Sequence, residues 1–500
     1  MSQASANEPG SAASSRSTKA GPTSSSFWDR FFYGLGSIAY GVKDNGFAVL
    51  LMLFYNQALG VPAASVGFAI MIALLIDAVA DPLIGNWSDN TRTRLGRRHP
   101  FMYAAALPVA ISYYFLWNPP HGLTTSEIFW YLLGLSVIIR IFISFYEIPS
   151  SALIADLSRD YNERTTFLSY RYFFGWVGGL TMGVSAFSIF LRPGPNDPSG
   201  QLNLQGYSNY GLTASLIMFT AIIISSLGTQ RRVKSFTAPP PKLPFNFARS
   251  SAEVIGTLWN RPFLLLLAAT FVSYAAAGIG GSILTYFRVY FWELTGDQIS
   301  FLMVGNFASV AVALFFAPRF AARIGKKRAA IILGLVYAVI VPLPAYLRVL
   351  GLMPANGTDA LYVVLFGASF VGATLAMSTG ILGSSMLADV VEYSAVRTGR
   401  HAAGLLFSAN AFVLKATSGV GIFGTGLILD YIAFPANAKQ GQVPADVLYH
   451  LGTLEPTVVL VLALTATSLI FWFPITKTSH EEDLRLLNEQ EKEFNPATVV

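Results

Sequence analysis

The feature that most constrains this chain is a series of apolar runs, each 18 residues or longer, that recurs from one end to the other. Each run is long enough to cross about 30 Å of hydrocarbon, and a backbone crossing lipid singly must satisfy its own polar groups as helix. Twelve spans are expected, at residues 31–56, 63–87, 101–117, 127–152, 167–191, 209–228, 262–291, 298–320, 327–349, 359–386, 402–431 and 453–476. An all-α membrane protein follows. Composition agrees: 53% of the 500 residues are hydrophobic and only 12% are charged, too few charges to coat a soluble chain of this size.

The spacing of the spans divides the chain. Residues 229–261 are basic and proline-rich, with room for an interfacial helix in their second half. They separate a six-helix half, 27–228, from a second, 262–476, which is the layout of the major facilitator fold. Residues 1–26 are rich in Ser, Ala and Gly and lack the apolar core of a signal peptide, so a disordered cytoplasmic tail is expected there. Residues 477–500 form a second tail. On these spans about 25 of the 33 basic residues fall in the tails and even-numbered connections, whereas Arg192 and Lys439 fall in odd-numbered ones. The positive-inside rule then places both termini in the cytoplasm. Two echoes join the halves: the pattern A-D-x₇-R-T occurs at 155–165 and 388–398, and Gly96-Arg97-Arg98 is matched by Gly325-Lys-Lys-Arg328.

Charges inside apolar spans carry the functional signal, because each costs at least about 2.5–3.5 kcal/mol to insert unless paired or hydrated. Asp77 and Asp81 stand four residues apart in span two, on one helix face. Two neighbouring carboxylates repel; a monovalent cation or a proton between them removes the repulsion. The plainer alternative is ion pairing to Lys415 or Arg140. Asp44 in span one and Glu147 in span four are acids suited to accepting hydrogen bonds from hydroxyls, and Arg171 in span five either orients one of them or donates to cargo. Asp89, Arg97 and Arg98, the pair Asp156 and Arg164, and the pair Asp389 and Arg397 lie at the cytoplasmic mouth as candidate gate residues between helix ends. Such clamps are expected to form when the carrier faces outward and to break when it faces inward. Runs such as Gly175–Gly179, Gly278–Gly281 and Gly419–Gly421 favour close helix packing.

Other chemistries lack their residues. There is no cysteine, and the five histidines are scattered without metal-ligand spacing. No Ser-His-Asp set is apparent, so an enzyme or sensor is disfavoured, no cofactor is expected, and neither is a nucleic-acid partner.

The segments Tyr40-Gly-Val-Lys-Asp44, Asp77-x₃-Asp81-Pro-x₂-Gly85 and Asp89-x-Thr91-x-Thr93-x₂-Gly96-Arg97-x₂-Pro100 resemble the glycoside–pentoside–hexuronide:cation symporter family. Glu147-Ile-Pro149, Tyr170-Arg171, Leu387-Ala-Asp389, Tyr393 and Lys415 extend the likeness over nearly the whole chain after residue 26. The resemblance implies that Asp77 and Asp81 bind the coupling cation (Na⁺, Li⁺ or H⁺) with Lys415 nearby. It implies that Asp44, Glu147 and Arg171 bind sugar, and that the protein sits in a bacterial inner membrane. The chain departs from the family after Pro149, where Ser150-Ser-Ala152 replaces an aromatic pair whose Trp stacks on sugar. The expected function is cation-coupled symport of a sugar or glycoside by alternating access. A lysolipid carrier on the same fold is the alternative.

Overall fold

The computed structural model describes residues 25–158, 161–194, 197, 199–231, 259–398, 403–483 and 485. Every expected apolar run is helical. The first half comprises α1 (Phe27–Ala58), α2 (Ala63–Asn90), α3 (His99–Leu116), α4 (Thr125–Leu157), α5 (Tyr161–Ser185) and α6 (Leu204–Gln230). The second comprises α7 (Arg261–Phe291), α8 (Gly296–Ile324), α9 (Lys326–Val349), α10 (Asp359–Thr398), α11 (Ala403–Tyr431) and α12 (Ala445–Phe471). Among the described residues eleven helices are long and apolar enough to cross a membrane; α3, at 18 residues, is the remaining one of the expected twelve.

Several helices outrun the apolar segments that announced them. α10 continues to Thr398 rather than 386, and α12 begins at Ala445 rather than 453. Loss of apolarity marks the edge of the hydrocarbon, but the hydrogen-bond ladder goes on in water while the residues tolerate helix. The second A-D-x₇-R-T segment therefore rides on helix α10. Most of the 229–261 linker and of both tails lies outside the described residues, although residues 477–483 are helical.

Glycines set how closely the helices approach. A Cβ on Gly41 of α1 would run into the carbonyl of Gly175 on α5, and one on Gly36 into the Tyr146 hydroxyl of α4. Gly278 of α7 and Gly421 of α11 face each other in the same way. Such small-residue contacts let backbones meet where lipid supplies no hydrophobic drive. α1 also contains two wide π turns, Gly46–Leu50 and Phe54–Ala58, the first directly after Asp44 and Asn45. π turns of this kind are frequent at functional sites.

The two halves meet at the end of the bundle away from the termini. There Gln57 donates to the Pro435 carbonyl at 3.2 Å and accepts from the Ala438 amide at 2.9 Å. The Asp430 carboxylate caps α2 by accepting from the Ala63 and Ala64 amides, each at 3.1 Å, and the Tyr286 hydroxyl donates to Asn56 at 2.8 Å. These contacts close the bundle at the end away from the termini. Towards the termini, large apolar side chains including Val79, Leu83, Tyr172 and Phe173 are exposed.

Candidate binding site

Mid-way along the bundle, α2, α4 and α11 bring five polar side chains together. Asp77 is 2% exposed. The Ser144 hydroxyl of α4 lies 2.9 Å from Asp77 Oδ1 and 2.7 Å from Asp81 Oδ1, so one oxygen touches both carboxylates. Lys415 Nζ lies 3.1 Å from Asp77 Oδ2 and is also bonded to Asp81 Oδ2. Behind Asp77, Arg140 Nη1 stands 3.5 Å from the same Oδ2, with its guanidinium over the Phe47 ring. The aspartates are thus on one face, as their i, i+4 spacing predicts, and the alternative of pairing with Lys415 or Arg140 is realised with both bases at once. Two acids meet two bases, and the ammonium of Lys415 sits between the two carboxylates.

A second group lies on α1, α4 and α5. Asp44 is bonded to its neighbour Lys43 at 2.6 Å; the lysine is buried, while the aspartate side chain is 62% exposed. Arg171 is buried and does not hold the Glu147 carboxylate. Its guanidinium donates to Ser150 Oγ at 3.0 Å and to the Glu147 main-chain carbonyl at 3.4 Å, and lies 5.0 Å from the Tyr40 ring centre. Glu147 precedes Pro149, which has no amide hydrogen to continue the ladder. Among the described residues the Glu147 carboxylate has no hydrogen bond or ion pair, and the buried Asn45 Oδ1 lacks a partner as well. Four acids (Asp44, Asp77, Asp81, Glu147) and four bases (Lys43, Arg140, Arg171, Lys415) make up the two groups, so their formal charges cancel.

The expected gate residues separate. Arg98 Nη2 pairs with Asp89 at 3.5 Å, both within the first half, and Arg97 is half-buried beside them. Arg164 is exposed and donates to the Ser158 carbonyl at 2.9 Å; the side chain of Asp156 lies outside the described residues. The pairing of Asp389 with Arg397 is corrected: eight residues of helix put them about 12 Å apart along α10, beyond the reach of a direct bridge. Asp389 instead pairs with Lys326 at 2.5 Å, and Arg397 with Asp483 at 3.6 Å while stacking on Tyr393. Gly325, at φ 87°, makes the turn that starts α9 at Lys326. Asp89–Arg98 lies within the first half, Lys326–Asp389 within the second, and Arg397–Asp483 ties the second half to the carboxy-terminal tail. None of these three pairs joins one half to the other.

Sequence reasoning missed Ser144, the pairing of Asp44 with Lys43, and the partners Lys326 of Asp389 and Asp483 of Arg397. Ser144 was detectable, since Arg140, Ser144 and Glu147 recur at i, i+4 and i+7 on one face of α4. It also missed Glu455 on α12 and Arg288 on α7, both buried in the second half.

Comparison with known proteins fits this geometry. A profile of the MFS/sugar transport protein family matches residues 32–477. The chain belongs to this family. It is a transporter and not an enzyme, and its resemblance to glycoside–pentoside–hexuronide:cation symporters holds. It is similar to an isoprimeverose transporter of Lactiplantibacillus pentosus, 25% identical with 82% of each chain covered. It is similar to a putative glycoside/cation symporter of Escherichia coli, 25% identical over 87% of this chain and 89% of the relative. Among solved structures, a D-xylose–proton symporter superimposes with a TM-score of 0.63 at 14% identity, covering 90% of this chain and 98% of that one; the shared property is the fold.

Proposed function

We propose that this transporter moves a sugar or glycoside into the cell together with a monovalent cation, Na⁺, Li⁺ or H⁺. The observation that carries the reading is the shared Lys415 ammonium: it bridges Asp77 and Asp81 at the mid-depth of the bundle, in a site that Ser144 holds in register. A cation that takes the place of the ammonium is bound by the same oxygens, and Lys415 is then released. Binding therefore rearranges a contact between α2 of one half and α11 of the other. An ion that bonds differently in two arrangements of the halves is what coupling requires.

Asp44 and Glu147 are the sugar acceptors in this reading. Asp44 is open to the interior and Glu147 has an unused carboxylate, while Arg171 is held by Ser150 and Tyr40 and presents fixed donors. The relatives' names support a glycoside cargo. The basic connections support termini in the cytoplasm and hence a contact between the halves at the outer face, and the family supports a bacterial inner membrane.

The test is uptake of labelled glycosides into vesicles with and without an imposed Na⁺ or H⁺ gradient. Gradient-driven accumulation is expected, and Asp77→Asn is expected to abolish the gradient's effect while the protein remains in the membrane. Accumulation that persists undiminished in Asp77→Asn sinks the cation-site assignment; absence of any glycoside uptake in the parent sinks the cargo.

A further inference from the structure

The first half holds the acids that would meet a sugar; the facing half offers a cavity of a different chemistry. It has a volume of about 300 Å³ and is lined by α7, α9, α10, α11 and α12, with no residue from the first half. That volume lies at the lower end of the range of small-molecule sites, about 300–1,000 Å³. Its walls are chiefly Ala, Leu, Met and Gly, interrupted by a few polar groups. Among them, Ser273, Tyr274, Tyr337 and Asn410 make no side-chain hydrogen bond among the described residues. Gly380 and Gly383 of α10 face open space: a Cβ built on either meets nothing within 4 Å. Two wall residues, Asn410 and Leu414, lie on α11, the helix that also carries Lys415 of the ion cluster.

We infer that this cavity receives the apolar part of the cargo, an aromatic or aliphatic aglycone, while the sugar ring stays with Asp44, Glu147 and Arg171. This rests on the glycoside reading above and narrows it. A carrier that encloses its cargo between two halves needs contacts from both. A bare monosaccharide carries hydroxyls around its whole rim and gains less from a wall of alanine and leucine than a ring of hydrocarbon does. A glycoside with an apolar aglycone suits both surfaces: hydroxyls towards carboxylates, hydrocarbon towards hydrocarbon. The idle hydroxyls and amide in the cavity are placed to meet a polar substituent on that aglycone.

The experiment uses the full chain in detergent and follows ligand-induced shifts in thermal unfolding. The ligands are methyl and phenyl glycosides of the same sugars: xylose, glucose, galactose and glucuronic acid. In the parent, the phenyl form of the accepted sugar is expected to bind about tenfold tighter than the methyl form, the scale of burying one ring. Gly383→Leu, which fills the cavity, is expected to erase that preference while leaving methyl-glycoside binding and the cation response intact. Gly380→Leu is the second filling variant should Gly383→Leu fail to fold. Equal binding of methyl and phenyl forms by the parent overturns the inference alone, and so does a phenyl preference that survives filling. A parent that responds to no glycoside of either kind overturns the cargo reading and this inference with it.

Discussion

Ser144 is one hydroxyl, yet it touches both carboxylates of the proposed ion site and links them. Hydrogen bonds to charged groups contribute about 1.5–3 kcal/mol each, so Ser144→Ala is expected to weaken cation affinity at least about tenfold with little loss of fold. Cation titration of thermal unfolding checks this, and unchanged affinity would remove Ser144 from the site. Asp77 and Asp81 could be read in the sequence because a charge in an apolar run is conspicuous and i, i+4 spacing fixes a common face. Their partners were harder to see. Serine in an apolar helix commonly bonds its own backbone, so Ser144 carries no signal until Arg140 and Glu147 are counted with it. Glu455 and Arg288 escaped because each stands alone in its span, where no spacing marks a pair.

At the scale of the helix, the constraint is the glycine contact between α1 and α5. Gly41→Leu is expected to drive the helices apart, because the Gly175 carbonyl already fills the space a Cβ would need. Overpacking typically costs about 1–3 kcal/mol, and more when the obstacle is backbone. The thermal midpoint of the purified protein should fall with the variant, and sugar binding with it, since α1 carries Asp44 and α5 carries Arg171. The sequence shows that glycines cluster, but not which ones touch: of the run Gly278–Gly281, Gly278 packs on α11 while Gly281 meets nothing within 4 Å. Helix ends were equally hidden. Apolarity reports the bilayer, and the polar extension of α10 to Thr398 moved the expected Asp389–Arg397 pair onto a single helix.

At the scale of the molecule, the twelve spans and their division into two halves were legible, because the bilayer imposes length and apolarity on every crossing. The state of the carrier was not, since both open and closed arrangements use the same spans. Here the structure adds the seal: Gln57 meets the 435–438 loop and Asp430 caps α2. The chain has no cysteine, so Gln57→Cys with Ala438→Cys introduces the sole pair. Oxidation is expected to hold this end of the bundle shut and to stop transport, with recovery on reduction; continued uptake in the oxidised protein would place the moving contact elsewhere.

The cancellation of four acids by four bases reaches beyond the site to the membrane voltage. Moving one elementary charge through 100 mV is worth about 2.3 kcal/mol, whereas moving none is worth nothing. An empty carrier built this way returns indifferent to the electric field, and only the laden stroke, one positive charge richer, is hastened by an interior-negative potential. Currents recorded from proteoliposomes should therefore appear only when sugar and cation are supplied together, and imposed voltage should speed uptake without speeding the return.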